Sequence, residues 1–247
     1  TASADDAATT PEPRPVSSTD GGRSSPQQSV DVFARPSANR SDPPRSQIRN
    51  GPLVSVVIPT YYRNEQLAAA IESVRQQRYS PTETIVVDDS GTGHARSVAE
   101  RYDTVYVEHE SQHGANRART SGIEVAEGRY VQLLDDDDRL HPEKFSLQVT
   151  LLERDPETGV TFCGYASDEG LRMPNPDIKG SVLGETLQFG PKACTNSTML
   201  ISASVLGDVI PLADRGGADD IGFCIELASR CEFDSLAAAL VYKGTSG

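Results

Sequence analysis

Two short runs, "LVSVVIP" at 53–59 and "TIVVDDS" at 84–90, constrain this chain more than any other feature. Both are β-branched and almost wholly apolar, the pattern of strands buried on both faces. Between them "NEQLAAAIESVRQQ" (64–77) sets Leu67, Ala70, Ile71 and Val74 on one helical stripe, with Asn64 placed to cap it. Strand, amphipathic helix and strand make a βαβ unit, which commits the chain to an α/β fold with a mainly parallel sheet and right-handed crossovers.

The alternation continues. "HARSVAERY" (94–102) reads as a helix, "TVYVE" (104–108) as a strand, "GANRARTSGIEVAE" (114–127) as a helix and "YVQLL" (130–134) as a strand. "PEKFSLQVTLLERD" (142–155) is amphipathic with Pro142 in its first turn, and "GVTFCGY" (159–165) is strand-like. From 166 to 193 the pattern dissolves into a long Gly-, Pro- and Asp-rich loop. A strand at 197–202, a helix from about 219 to 230 and a strand at 236–242 follow. Residues 1–51 hold seven of the sixteen prolines, lack either periodicity, and read as a disordered tail ahead of one domain over 52–247.

Charge excludes some partners. Asp plus Glu number 36 against 23 Lys plus Arg, a net charge of −13, so neither nucleic acid nor an anionic membrane is expected as the main partner. Only four residues are lysine, and an Asp-rich, Lys-poor surface predicts a protein kept hydrated in concentrated salt, hence a halophilic source such as an archaeon. Cys163, Cys194, Cys224 and Cys231 show no metal-ligand spacing and read as buried free thiols. No apolar run reaches the roughly 20 residues that span a bilayer, and no signal-peptide core precedes the fold, so the expected location is cytoplasmic, with the cytoplasmic face of the membrane as a variant of it.

In a parallel α/β sheet ligands bind at the carboxyl ends of the strands. Three polar clusters fall there: Pro59, Thr60 and Tyr61; Asp88, Asp89 and Ser90; and the four aspartates 135–138 of "VQLLDDDDRLHP". Paired carboxylates on such a segment offer hard oxygen ligands for Mg²⁺ or Mn²⁺, which neutralise a bound diphosphate. Asp88 divides evenly between a structural cap and a ligand contact, whereas Asp138 reads as the outward start of the turn before Pro142. "SGTGHAR" (90–96) lacks the third glycine of a dinucleotide loop and reads as a turn. His94, His109 and His113 share no spacing and read as surface residues; His141 stays a candidate. Arg117 and Arg119 read first as exposed helix arginines, with a diphosphate contact as the sharper alternative. Of the sequons, Asn39 and Asn196 matter only in an exported chain.

The phrases "VSVVIPTYYRNEQLAAAIESVRQQRYSPTETIVVDDSG", "RARTSGIEVAEGRYVQLLDDDDRLHPEKF" and "GADDIGFCIELASR", in this order, resemble the glycosyltransferase family 2 enzymes of GT-A fold. The resemblance implies a Rossmann-like sheet flanked by helices, with a nucleotide-binding half at 52–140 and an acceptor-side half at 141–247. It implies an inverting hexosyl transfer from a UDP- or GDP-linked sugar to a glycan or lipid-linked acceptor, with peripheral membrane contact compatible with the latter. Pro59, Thr60, Tyr61 and Arg63 match the loop lining the nucleotide pocket, and Asp89 matches the aspartate that contacts the base. Asp135, Asp136 and Asp137 match the DXD-type motif, with Asp137 as metal ligand, Asp136 nearest ribose or diphosphate, and the register open by one. Asp220 matches the general base, preceded by Asp219 where Glu is usual. Glu226 and Thr120 stand where the family often has Arg and Asn. A chain that binds a nucleotide sugar without transferring it is the second reading; a nucleotidyltransferase ranks last, because no Gly-rich phosphate loop follows the first strand.

Overall fold

The structure is a computed structural model and describes residues 51–188, 194–216 and 219–244. The expected tail lies outside these residues, apart from Gly51. Among the described residues nine strands form one sheet: β1 (Val54–Thr60), β2 (Thr82–Asp88), β3 (Val105–Glu108), β4 (Tyr130–Leu133), β5 (Arg139–Leu140), β6 (Thr158–Ser167), β7 (Gly170–Arg172), β8 (Met199–Ser202) and β9 (Glu232–Tyr242). Their order is β3-β2-β1-β4-β8-β6-β9-β5, with β7 paired to β6. The four strands β3, β2, β1 and β4 are mutually parallel; β8 enters antiparallel to β4 and β6, and β9 returns parallel to β6.

The helices are α1 (Asn64–Arg75), α2 (Arg96–Tyr102), α3 (Ala115–Glu124), α4 (Lys144–Leu152), α5 (Leu183–Leu187), α6 (Ala203–Gly207) and α7 (Asp219–Ala228). They cover both faces. On one, Val54, Val56 and Ile58 pack against Leu67, Ile71 and Val74 of α1 and Phe145 and Val149 of α4. On the other, Val57, Ile85 and Val87 meet Ala118 and Ile123 of α3 and Phe223 and Leu227 of α7. The split follows from strand pleat, since successive side chains point to opposite faces. Each fully buried Leu, Ile or Val in these layers contributes about 1.5–3 kcal/mol. Gly122 lets α3 lie close on the sheet: a Cβ there would meet Val57 Cγ1 at 2.3 Å.

Several expectations shift. Asn64 is the first residue of α1 rather than its cap, and its amide donates to the His94 carbonyl (3.0 Å). Pro142 precedes α4, which begins at Lys144. The loop expected from 166 to 193 contains β7 and α5, while 189–193 fall outside the described residues. The strand expected at 236–242 starts at Glu232 because parallel pairing with β6 extends it. Cys163, Cys194 and Cys224 are buried free thiols, and Cys231 is partly buried.

Candidate active site

The four aspartates are themselves a turn between β4 and β5: the Asp138 N–H donates to the Asp135 carbonyl (3.0 Å). A tight turn fans its side chains apart, so like charges that are adjacent in sequence acquire separate partners. Asp135 receives Arg119 Nη2 (2.7 Å) and lies 3.9 Å from Lys243 Nζ. Asp136 receives the Thr60 hydroxyl (2.8 Å) and Arg63 Nη1 (3.3 Å). Asp137 faces the same Arg63 nitrogen at 3.5 Å.

Asp138 overturns its expected outward position. It is 0% exposed, accepts the Gly244 N–H (3.0 Å), and has Lys243 Nζ 3.7 Å from Oδ2. Burial pushes its pKa up to about 6 despite Lys243. Gly244 crosses directly over this turn, where a Cβ would stand 2.2 Å from the Asp137 carbonyl oxygen.

Above the turn lies a cleft of about 340 Å³ at the carboxyl ends of β1, β2 and β4. Pro59, Thr60, Tyr61, Arg63, Asp89, Arg119, Asp135, Asp136 and Asp137 all line it, together with Gln112, Gly114, Ala115 and Ala118. Arg119 is therefore turned inward, only 11% exposed, whereas Arg117 faces solvent as expected. Burial raises the pKa of Asp136, against the Thr60 hydroxyl and the Arg63 guanidinium.

A divalent cation fits this donor set. Asp136 Oδ1 and Asp137 Oδ2 converge on a single cationic atom, Arg63 Nη1, and Arg63 is 37% exposed and so able to yield that position. No group of three or more His, Cys, Asp or Glu converges among the described residues. Two carboxylates, completed by substrate phosphates and water, nonetheless suit Mg²⁺.

The two aspartates ending β2 diverge. Asp88 lies outside the cleft lining; its oxygens accept the N–H groups of Ser90 (3.0 Å) and Ala95 (2.7 Å) and the Tyr106 hydroxyl (2.8 Å). Burial alone would raise its pKa, but these hydrogen bonds outweigh it and hold the carboxyl below its ordinary value. Geometry thus favours the structural alternative, a staple for the turn at 90–95. Asp89 faces the cleft and accepts the N–H groups of His113 (2.9 Å) and Gly114 (2.8 Å).

Asp220, in the first turn of α7, opens on a small recess shared with Asn116, Asn196, Arg215 and Phe223. Asn196 Nδ2 donates to it (2.7 Å), so the second sequon's asparagine is a buried partner of Asp220. Burial first, then Asp135, raises the Asp220 pKa, opposed by Arg119 and Lys243. Asp219 accepts the Arg215 N–H (2.6 Å) at the start of α7 and lines the same recess. Glu226 pairs with Arg215, and Thr120 accepts the Leu212 N–H (3.0 Å), so both departures are absorbed by local partners.

Residues 55–209, more than half of the chain, match Glycosyl transferase family 2. The chain belongs to this family. As a family 2 member it is 35% identical over 123 residues to the putative teichuronic acid biosynthesis glycosyltransferase TuaG of Bacillus subtilis, a match spanning 47% of each chain. Among solved structures, S. aureus TarS 1-349 in complex with UDP-GlcNAc matches with a TM-score of 0.67 and 19% identity, covering 78% of this chain and 59% of that one. The mannosyltransferase PcManGT from Pyrobaculum calidifontis, in complex with GDP-Man and Mn²⁺, matches with a TM-score of 0.62 and 18% identity, covering 87% and 62%. The fold is thus of GT-A type, a mainly parallel central sheet flanked by helices. No helix among the described residues is long and apolar enough to cross a membrane.

In this family 2 chain, Lys243, Asn116, Asn196, Gln112 and His109 stand at or beside the cleft and its recess although no motif marks them. Lys243 carried one signal, as the sole lysine beyond Lys192, just after the last strand. His109 was expected at the surface, but its ring is 10% exposed and bonded to Asp89. His94 and His113 are exposed, and His141 is half-buried outside the cleft lining, its pKa lowered by burial.

Proposed function

We propose that the chain is an inverting, divalent-metal-assisted glycosyltransferase that moves a sugar from a UDP- or GDP-linked donor to an acceptor hydroxyl of a glycan or lipid-linked glycan. One observation carries this reading: the loop after β1, Asp89, Arg119 and the aspartate turn line a single cleft at the strand ends. The ligands named for TarS (UDP-GlcNAc) and for the mannosyltransferase (GDP-Man with Mn²⁺) support the donor class.

Pro59, Thr60, Tyr61 and Asp89 would receive the nucleoside, and Arg119 and Arg63 would face the diphosphate as cations. Asp137, with Asp136 beside it, would hold Mn²⁺ or Mg²⁺. When bound, that ion supplies positive charge to the departing diphosphate. Asp220 would accept the proton of the acceptor hydroxyl as its oxygen bonds to the anomeric carbon and the bond to the diphosphate breaks; attack opposite the leaving group inverts that centre. The raised Asp220 pKa makes it a better base, and the Asn196 amide holds one oxygen so that the other can face the acceptor.

The second reading, donor binding without transfer, is favoured by one observation: Asp220 lines the neighbouring recess rather than the cleft. A panel of UDP- and GDP-sugars scored by thermal shift with Mn²⁺ tests the proposal, since a bound donor stabilises the fold by mass action. One sugar nucleotide should raise the melting temperature in Mn²⁺ and release nucleoside diphosphate with an acceptor; no shift with any donor would defeat the reading. We also assign the acidic surface to a salt-adapted, cytoplasmic setting. A melting temperature independent of salt from low to molar concentration would reject the salt adaptation.

A further inference from the structure

Asp89, His109 and Ser121 form a hydrogen-bonded row. Asp89 Oδ1 lies 2.6 Å from His109 Nδ1, and His109 Nε2 lies 3.0 Å from Ser121 Oγ. A carboxylate only accepts, so Nδ1 carries a hydrogen toward Asp89, while Ser121 Oγ meets the ring at Nε2. The order of atoms is that of a nucleophilic triad, but Ser121 sits inside α3 and neither it nor His109 lines the cleft. The row therefore presents no nucleophile to a substrate.

Its cleft-facing end is Asp89. The same carboxylate binds the N–H groups of His113 and Gly114, so its orientation sets the path of the segment that brings Gln112 and Gly114 to the cleft wall. The His109 backbone is fixed too, its N–H donating to the Asp88 carbonyl (3.0 Å). The ring is thus held at its backbone, at Ser121 and at Asp89, with little freedom to release the carboxylate.

We propose that His109 is a positioning residue for the nucleoside end of the donor cleft, acting through Asp89, with Ser121 holding the other ring nitrogen in place. This rests on the donor reading above. A carboxylate held by three N–H donors keeps one geometry toward an incoming base; without the imidazole it turns and the 112–114 wall relaxes.

Isothermal titration of UDP, GDP and inorganic pyrophosphate, in Mn²⁺, into the wild-type chain and three variants tests the inference. His109→Ala should weaken the nucleotide that the wild type binds by about tenfold, the scale of one hydrogen bond to a charged group, and leave pyrophosphate unchanged. His109→Asn puts an amide N–H near the place of Nδ1 and should recover affinity to within about threefold. His109→Gln, whose amide reaches toward Nε2 and Ser121, should not. Equal nucleotide affinity in His109→Ala and wild type, equal losses in the Ala and Asn variants, or a matching loss of pyrophosphate would each overturn it. If His109→Ala does not fold, the Asn and Gln variants decide, and equal affinities in the two refute the inference. A wild-type chain that binds neither UDP nor GDP overturns the donor reading and this inference together, whereas a failure confined to the variants leaves the donor reading standing.

Discussion

Lys243, the residue after β9, sets its ammonium 3.7 Å from Oδ2 of Asp138, a residue more than a hundred positions earlier that is 0% exposed. Burial would lower the Lys243 pKa, but Asp138, Asp135 and Asp220 outweigh it and raise it. The lysine therefore remains a cation among three carboxylates. Lys243→Met would leave Asp138 buried without its counter-charge and should destabilise the fold by about 3 kcal/mol, the low end for a broken buried pair because Lys243 keeps some solvent contact. Urea unfolding measures this. The double variant with Asp138→Asn should recover most of the loss, and a Lys243→Met chain as stable as wild type would refute the pairing.

Lys144 gives a pH signature. Its side chain is fully buried, with Nζ on the Gln132 side-chain oxygen and 3.5 Å from the Met199 carbonyl. Burial lowers its pKa from 10.5 to about 8, opposed only by the Cys163 thiol. Between those values the unfolded chain holds a proton that the folded chain has lost, so stability should rise with pH across that window, by about 1–3 kcal/mol. Comparing denaturant unfolding of wild type and Lys144→Met at several pH values isolates the effect. The rise should be missing from the variant; parallel curves would contradict it.

The parts of this fold that were legible in the sequence are those encoded locally. β1, β2 and β4 announce themselves because burial on both faces demands a continuous apolar run, and α1 because one stripe meets the sheet. β5, only Arg139–Leu140, is made by pairing with β9 and has no pattern of its own. The cleft was legible because its aspartates end a strand. The inward turn of Asp138 was not, since its partners, Lys243 and the Gly244 N–H, come from the far end of the chain. His109 failed for the same reason: Asp89 and Ser121 lie on two other elements, and no spacing rule joins the three.

Asp220 separates transfer from binding. Asp220→Asn keeps the size of the side chain and its contact with Asn196 but removes the carboxylate proposed as the base. Turnover should fall by about 10²–10⁴-fold, the usual contribution of a positioned general base, with donor affinity near that of wild type. Transfer at the wild-type rate would show that another group takes the proton.

The aspartate turn is proposed to hold a divalent ion against a nucleotide diphosphate, and replacing Asp137 tests that role. Isothermal titration of UDP and GDP into wild type and Asp137→Asn, each in Mn²⁺ and in chelator, should show wild-type affinity at least about tenfold stronger with Mn²⁺, and a variant that binds equally weakly in both. A wild-type chain whose nucleotide affinity is unchanged by chelator, or an Asp137→Asn chain that keeps the full Mn²⁺ enhancement, would contradict the account.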